Sequence, residues 1–262
     1  MASEDRIRAW RPGIPGVAEV FHARFADHAY PQHVHEAWTL LIVDRGTIGY
    51  RLEGRDHGST VDRVTLLPPG IPHDGHPATR AGFVKRVLYL EADQLTGIGA
   101  TVDRPTMIDP ALRDRLHRLH QALAAAEGLE AESRLALIRE RVQAHLNRAV
   151  DAPHPHRDRP LAARLRDLLD ARIVDGVTLA EAAERLHATP EHLVRSFARE
   201  YGLPPHQYLT GRRVDRARRL LLAGRGPAEV AAEVGFHDQS HLTRHFRRVL
   251  GVTPGRYART SR

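Results

Sequence analysis

The chain has 262 residues, of which 42% are hydrophobic and 27% charged, a composition typical of a folded protein with one large or two smaller domains. It contains no cysteine, which excludes disulfide frameworks, thiolate zinc sites and cysteine nucleophiles. No apolar run approaches the ~18 residues of a membrane-spanning helix, and the first residues lack the pattern of a secretory signal. We therefore expect a cytoplasmic protein with no membrane partner.

The positive charge of the chain is concentrated near its C-terminus. The 39 Lys and Arg residues outnumber the 32 Asp and Glu residues, a formal charge of +7. Residues 1–159 contain 21 of each sign, whereas residues 160–262 contain 18 basic and 11 acidic residues and carry the whole excess. An excess confined to one region predicts a polyanionic partner for that region, most simply double-stranded DNA.

Residues 17–93 have the pattern of short strands. Apolar runs at Trp38–Val43, Val64–Leu67 and Phe83–Leu90 alternate with turn sequences rich in Gly, Pro and Asp. Many short strands punctuated in this way predict a β-sandwich or barrel. We expect residues 1–108 to form such a barrel.

Residues 109–150 are predicted to form two helices that are separated at Gly128. Each helix carries apolar residues at intervals of three or four, as an amphipathic helix does. One interpretation is that both helices pack on the strands; the alternative is that part of one stripe forms a homodimer seam, and two heptads are too few to decide. The stripe residues are Leu112, Leu116, Leu119, Leu123, Leu135, Ile138, Val142 and Leu146.

Residues 151–160 contain three prolines and no apolar side chain beyond one alanine. This composition predicts a linker between two domains. The pattern of residues 161–262 is helical throughout, so the sequence as a whole predicts an α+β protein with a strand-rich N-terminal domain and an all-helical C-terminal domain.

An internal repeat occupies the C-terminal region. Residues 192–208 match residues 241–257 at eight of 17 positions after a shift of 49 residues. Each copy has the pattern of two helices joined by a short turn, which predicts helix-turn-helix units at residues 178–201 and 227–250. Residues 205–223 are predicted to form one long helix between them.

Local signals define the ends of these helices. Thr178 and Glu181 form a capping box, T-x-x-E, and Thr189 is followed by proline at the first helical position. Asp238 is the corresponding cap in the second copy, and Gly202 is a predicted C-terminal stop in the first.

The stretch from Ala228 to Arg248, followed by Gly251-Val-Thr-Pro-Gly-Arg-Tyr257, resembles the signature of the AraC/XylS family of bacterial transcription regulators. The resemblance extends over residues 161–258 and implies a DNA-binding domain of seven helices. It also implies that two recognition helices enter successive major grooves of promoter DNA, that the protein contacts RNA polymerase, and that it is not an enzyme.

In that family the exposed side of each second helix contacts the bases. The chemistry agrees with this role, because Arg can bond bidentately to guanine, Gln to adenine, and Glu can accept from cytosine; Thr243 is better suited to a phosphate. The residues implied for DNA binding are Glu191, His192, Val194, Arg195, Gln239, Ser240, His241, Thr243 and Arg244.

Residues 17–93 resemble the cupin-like effector domain of the same family. The resemblance rests on His33-Val34-His35 and on the sequence from Pro68 to His73. It implies a small-molecule pocket, which we expect to be lined by His33, His35, Trp38, Tyr50 and His73. In cupins the three histidines hold a divalent metal together with a glutamate, but Thr39 occupies the glutamate position, so we expect no metal and no cofactor.

These observations predict a ligand-responsive, sequence-specific DNA-binding transcription regulator with an unidentified small-molecule effector. The alternative is a metal-binding cupin enzyme or metal sensor fused to a DNA-binding module. A metal assay on the purified protein separates the two, since the enzyme would hold a stoichiometric metal and turn over a substrate.

Overall fold

A computed structural model describes residues 5–150 and 160–260 of the protein. The described residues form a strand-rich N-terminal region followed by helices, so the predicted α+β organisation is confirmed. The predicted linker at residues 151–160 lies outside the described residues except for its last position.

Ten strands form two antiparallel sheets that face each other, rather than one closed barrel. The six-stranded sheet has the order β1-β2-β9-β4-β7-β10 and the four-stranded sheet has the order β3-β8-β5-β6. The strands are β1 Arg6–Trp10, β2 Val17–Phe25, β3 Tyr30–His33, β4 Trp38–Gly46, β5 Ile48–Leu52, β6 Arg55–Ser59, β7 Val64–Leu67, β8 His73–Pro77, β9 Phe83–Leu90 and β10 Thr106–Met107.

Successive side chains of the six-stranded sheet point to opposite faces, as the period of a strand requires. On β4, Thr39 and Leu41 face the second sheet, whereas Leu40 and Ile42 belong to an apolar cluster on the outer face. Both faces of this sheet are covered, which is why its central strands are almost continuously apolar.

Helices cover the outer face of the six-stranded sheet. They are α1 Ile98–Asp103, α2 Pro110–Ala124 and α3 Gly128–Val150. All eight residues of the two predicted apolar stripes are 5% exposed or less and share one cluster with Leu40 and Leu88 of the sheet. The interpretation that both helices pack on the strands therefore holds, and a dimer seam made by these eight residues is wrong.

Seven helices lie within residues 160–260, the described part of the C-terminal region, and this is the number that the family resemblance implies. Helices α5 and α6 make the first helix-turn-helix unit, α8 and α9 the second, and α7 connects them. Their ranges are α4 Pro160–Ala171, α5 Leu179–Leu186, α6 Pro190–Tyr201, α7 Pro205–Leu222, α8 Pro227–Glu233, α9 Gln239–Leu250 and α10 Pro254–Arg259.

The predicted caps are present. The Thr178 hydroxyl and the Glu181 carboxylate satisfy each other's backbone N–H groups in a capping box, and Asp238 Oδ1 accepts from the His241 N–H at 2.7 Å. Gly202 ends α6 in the left-handed conformation, with φ of +73°, where a side chain would be strained. Local sequence therefore defines the ends of both units.

The strands and the helices share hydrophobic cores. One cluster joins Phe21 and Val87 of the six-stranded sheet to Leu242 and Phe246 of α9. A separate cluster surrounds Phe197 of α6 and takes in Val34 from the segment after β3. No helix among the described residues is both long and apolar enough to cross a membrane.

Candidate effector cavity and DNA interface

A cavity of about 50 Å³ lies between the two sheets. Four of the five predicted pocket residues line it: His33, His35, Tyr50 and His73. Its wall also includes Leu250 from the C-terminal end of α9. The cavity is therefore enclosed by both sheets and by the second helix-turn-helix unit.

Trp38 does not line the cavity, so this part of the prediction is wrong. It lies one residue before Thr39, which does line it, and its side chain therefore points to the opposite face of β4. There Trp38 belongs to the cluster beneath α2 and α3, and its indole N–H donates to the carbonyl of Ala92 at 3.2 Å.

The three cavity histidines form one buried cluster. His33, His35 and His73 are each 6% exposed or less, and one nitrogen from each lies within 4.8 Å of the others. Their Nδ1 atoms bond to acceptors outside the cluster: His33 to the Pro31 carbonyl at 2.7 Å and His73 to the Ile71 carbonyl at 3.1 Å. Because a carbonyl oxygen only accepts, each of these two Nδ1 atoms carries the proton.

His35 has a different partner, the carboxylate of Asp215 on α7, with 2.9 Å between Nδ1 and Oδ1. Burial lowers the pKa of His33 and His35 and lowers that of His73 to about 3, so all three rings are neutral at pH 7. With Nδ1 protonated in His33 and His73, the Nε2 atoms of these two rings are unprotonated acceptors. Nδ1 of His35 lies near an acceptor, Asp215, and also 3.2 Å from a donor, Nη1 of Arg218. One nitrogen from each ring could coordinate a metal, but Thr39 supplies no carboxylate to complete the set.

Lys85 also lines the cavity, and the sequence analysis missed it. Its ammonium lies 4.0 Å from the centre of the Tyr30 ring. Burial, followed by repulsion from Arg218, lowers the pKa of Lys85 to about 7. The signal that could have found it is one lysine in an apolar strand of a chain whose other 38 basic residues are arginine.

A buried charge cluster joins the sheets to α7. Arg218 is 2% exposed, and its Nη2 atom lies 2.6 Å from Oε1 of Glu19 on β2. Its Nε donates to the Tyr257 hydroxyl at 3.1 Å, and its guanidinium lies over the Tyr89 ring at 4.4 Å. Burial alone would raise the pKa of Asp215, but the bond from His35 and the charge of Arg218 lower it overall, so Asp215 is ionised.

Much of the positive charge on α7 is therefore turned inward. Arg212 pairs with Asp170 at 2.8 Å and with Glu36 at 2.9 Å, and Arg213 donates to the carbonyl of Ile173 at 2.7 Å. These arginines hold α7 against α4 and the segment after β3. The charge excess seen in the sequence is thus divided between internal contacts and the recognition helices.

One face of α9 carries the exposed polar residues of the second unit. Gln239, Ser240 and Arg244 are exposed and Thr243 is half-buried, and all four lie on one surface together with Arg247 and Arg248. His241 is half-buried because its ring contacts Phe236, with centroids 5.2 Å apart. The cap at Asp238 leaves the positive end of this helix beside Gln239 and Ser240.

The corresponding face of α6 is less uniform. Glu191, His192 and Arg195 are exposed. Val194 is half-buried and borders an apolar groove with Leu165 of α4. The structure thus brings three of the four predicted residues of α6 to one exposed surface and turns the fourth partly toward the helical core.

Two protein-family models match the chain. Residues 15–140 match the family model described as an AraC-like ligand binding domain, and residues 182–260 match that of a helix-turn-helix domain. The chain belongs to the AraC family of transcription regulators. As a member of this family it is a ligand-responsive, DNA-binding transcription regulator.

Individual relatives agree in length and in fold. The chain is 29% identical to the HTH-type transcriptional regulator YbfI of Bacillus subtilis over 81% of each chain. It is 25% identical to the arabinose operon regulatory protein of Escherichia coli over 85% of this chain and 80% of that one. The structure of apo ToxT K231A from Vibrio cholerae has a TM-score of 0.65 and 10% identity, covering 98% of this AraC-family chain and 97% of that one, a likeness of fold.

Proposed function

We propose that the cavity between the sheets is the effector site and that the second helix-turn-helix unit responds to its occupant. One observation carries this proposal: α9 carries the proposed base-reading residues and also borders the cavity. The first half of α9 presents Gln239 and Arg244 to solvent, and Leu250 at its end lines the cavity. A helix moves as a unit, so a shift at Leu250 displaces the residues that read the bases.

Helix α7 provides a second connection. Asp215 binds His35 of the cavity cluster, and Arg218 binds Glu19 on β2. An effector changes the protein only by preferring one of two arrangements. Contact with the cavity face of His35 would favour one position of α7 relative to the sheet, and α7 sets the separation of the two recognition helices.

Each recognition helix would read its own half-site. Arg195 and Arg244 hold equivalent positions of the repeat, 49 residues apart, and both are exposed. A bidentate arginine–guanine contact discriminates by about 1–3 kcal/mol against another base pair. The remaining proposed contacts are those of Glu191, His192, Val194, Gln239, Ser240, His241 and Thr243.

A binding-site selection with the full-length protein tests this assignment. Arg195→Ala and Arg244→Ala should each relax the preference at one half-site by about 1–3 kcal/mol and leave the other half-site unchanged. The affinity of both should still fall steeply with salt, because other cations release counterions from the phosphates. If both variants lose preference at the same base pairs, the two-helix assignment is wrong.

From the family resemblance we also propose that the protein forms a homodimer and contacts RNA polymerase. We further propose that it acts in the cytoplasm and is not an enzyme. A homodimer would have to use surfaces other than the buried stripes of α2 and α3. Sedimentation at micromolar concentration tests the dimer, and a metal assay with purified protein tests the alternative of a metal-dependent enzyme.

A further inference from the structure

Lys85 is a buried amine that faces the cavity without an anion beside it among the described residues. With its pKa lowered to about 7 it is partly protonated at neutral pH, and a bound anion favours its charged form. Lys85 is 9% exposed. Its Nζ atom lies 4.0 Å from the centre of the Tyr30 ring and 5.8 Å from the centres of the Phe21 and Phe83 rings. The nearby acids are otherwise engaged. Glu19 binds Arg218, and Asp74, which also borders the cavity, accepts from the backbone N–H of Arg51.

Three hydroxyl groups in the same wall are also unsatisfied. The Tyr30 Oη, Thr39 Oγ1 and Tyr50 Oη atoms are buried, and none of them has a hydrogen-bond partner among the described residues. Burying a donor without an acceptor destabilises the protein, and more so when the donor is charged. The arrangement is therefore costly unless an acceptor with negative charge enters the cavity.

Two of the cavity histidines offer the opposite chemistry. The Nδ1 atoms of His33 and His73 donate to the carbonyls of Pro31 and Ile71. The Nε2 atoms of these two rings are therefore acceptors, and an acceptor needs a donor such as a hydroxyl group. The cavity wall thus combines the Lys85 amine and three hydroxyl groups with acceptor nitrogens of the histidines.

We propose that the cavity binds a small hydroxycarboxylate. Its carboxylate lies against Lys85, Tyr30 and Thr39, and its hydroxyl group donates to the histidine cluster. This inference rests on the proposed function, in which the cavity is the effector site. The size agrees, because a cavity of about 50 Å³ has room for roughly three to five water molecules at ~10–15 Å³ each, close to the size of glycolate.

Three matched probes test the proposal on the full-length protein by calorimetric titration and thermal denaturation. Glycolate carries both groups, acetate lacks the hydroxyl, and glycolamide lacks the charge. We expect glycolate to bind at least tenfold more tightly than either and to raise the melting temperature. Equal binding of all three, or binding of none, overturns the proposal, as does stabilisation by stoichiometric Zn²⁺ alone.

Variants locate the site. Lys85→Met should weaken glycolate binding at least tenfold while the free protein melts no lower than wild type, because an unpaired buried charge is removed. Tyr30→Phe should weaken glycolate binding less than Lys85→Met does. Arg24→Met, which removes an exposed cation from the neighbouring strand β2, is the control and should bind glycolate normally. Unchanged affinity of Lys85→Met contradicts the proposal.

A gel-shift titration with promoter DNA distinguishes this inference from the proposed function. If the full-length protein binds DNA but no variant or probe behaves as stated, the proposed ligand class is wrong, whereas the proposed function as a DNA-binding regulator is retained. If it binds no DNA at low salt, the proposed DNA interface fails, whatever the cavity binds.

Discussion

The two helix-turn-helix units are copies in sequence but differ in their surroundings. The first unit packs around Phe197, and among the described residues only Val34 of the N-terminal region joins its core. The second unit shares a continuous core with the six-stranded sheet, which joins Phe246 to Phe21, and its Leu250 reaches the cavity between the sheets. The repeat specifies each unit, whereas tertiary packing decides which unit lies against that cavity.

The largest expected effect comes from breaking the charge cluster that holds the second unit. Arg218→Met should lower the free energy of unfolding by about 3–5 kcal/mol, because Glu19 is left buried without its partner. Urea denaturation measures the loss. Hydrogen exchange should show α9 losing protection before α6, and exposed Arg199→Met on α6 is the control. Equal loss in both helices would contradict the asymmetric coupling.

The turns of the two units should respond differently to substitution. Gly235 has φ of +85°, and a Cβ there would lie 2.2 Å from the Val174 carbonyl oxygen. His187, in the first turn, already has φ of +52°. Gly235→Ala should cost at least about 1–3 kcal/mol, whereas His187→Gly should stay within about 1 kcal/mol of wild type. Thermal denaturation of both variants measures the difference, and equal losses would refute it.

Acid should weaken the sheet region and the second unit together. Burial lowers the pKa of His73 to about 3 and that of His22 to about 4, so the unfolded chain binds more protons than the folded one below pH 6.5. Stability is therefore complete above pH 6.5 and falls with decreasing pH, by up to about 1.4 kcal/mol per pH unit for each residue.

Urea denaturation between pH 7.5 and 5 measures this slope. His73→Asn should make it shallower because the substituted side chain does not titrate. Hydrogen exchange at pH 5 should show α9 opening before α6. Parallel curves for wild type and His73→Asn would show that the histidine is not held neutral by the fold.

The smallest expected effect distinguishes the caps of the two recognition helices. Asp238 Oδ1 accepts from the His241 N–H at 2.7 Å, whereas Thr189 Oγ1 accepts from the His192 N–H at 3.3 Å. Loss of a cap costs about 0.5–2 kcal/mol, and the shorter bond to a charged acceptor is the stronger one. Asp238→Ala should therefore lower the melting temperature more than Thr189→Ala does. The reverse order in thermal denaturation would contradict this.

Features that depend on neighbouring residues were predictable from the sequence. The apolar runs of β4 and β9, the capping box at Thr178 and the stop at Gly202 each follow from one strand or one helix end. The histidine cluster was also predictable, because two short motifs carry all three residues. Lys85 was not predicted, because the pocket analysis followed motifs and this residue belongs to none.

Tertiary packing decided two further points. Trp38 was expected in the pocket, but it lies one residue before Thr39 on β4, and one residue along a strand reverses the face. The apolar stripes of α2 and α3 indicated that each helix has a partner, and hydrophobic periodicity does not say whether that partner is a sheet or a second chain.

The sequence by itself determined the local elements, the repeat, the family and the sign of the charge. Only the tertiary structure decided where that charge acts. Arg212 and Arg218 are buried against Asp170 and Glu19, whereas Arg244 on α9 remains exposed. Helix period and capping act within a few residues of the chain, but an ion pair depends on carboxylates far away in sequence, and those distances exist only once the chain has folded.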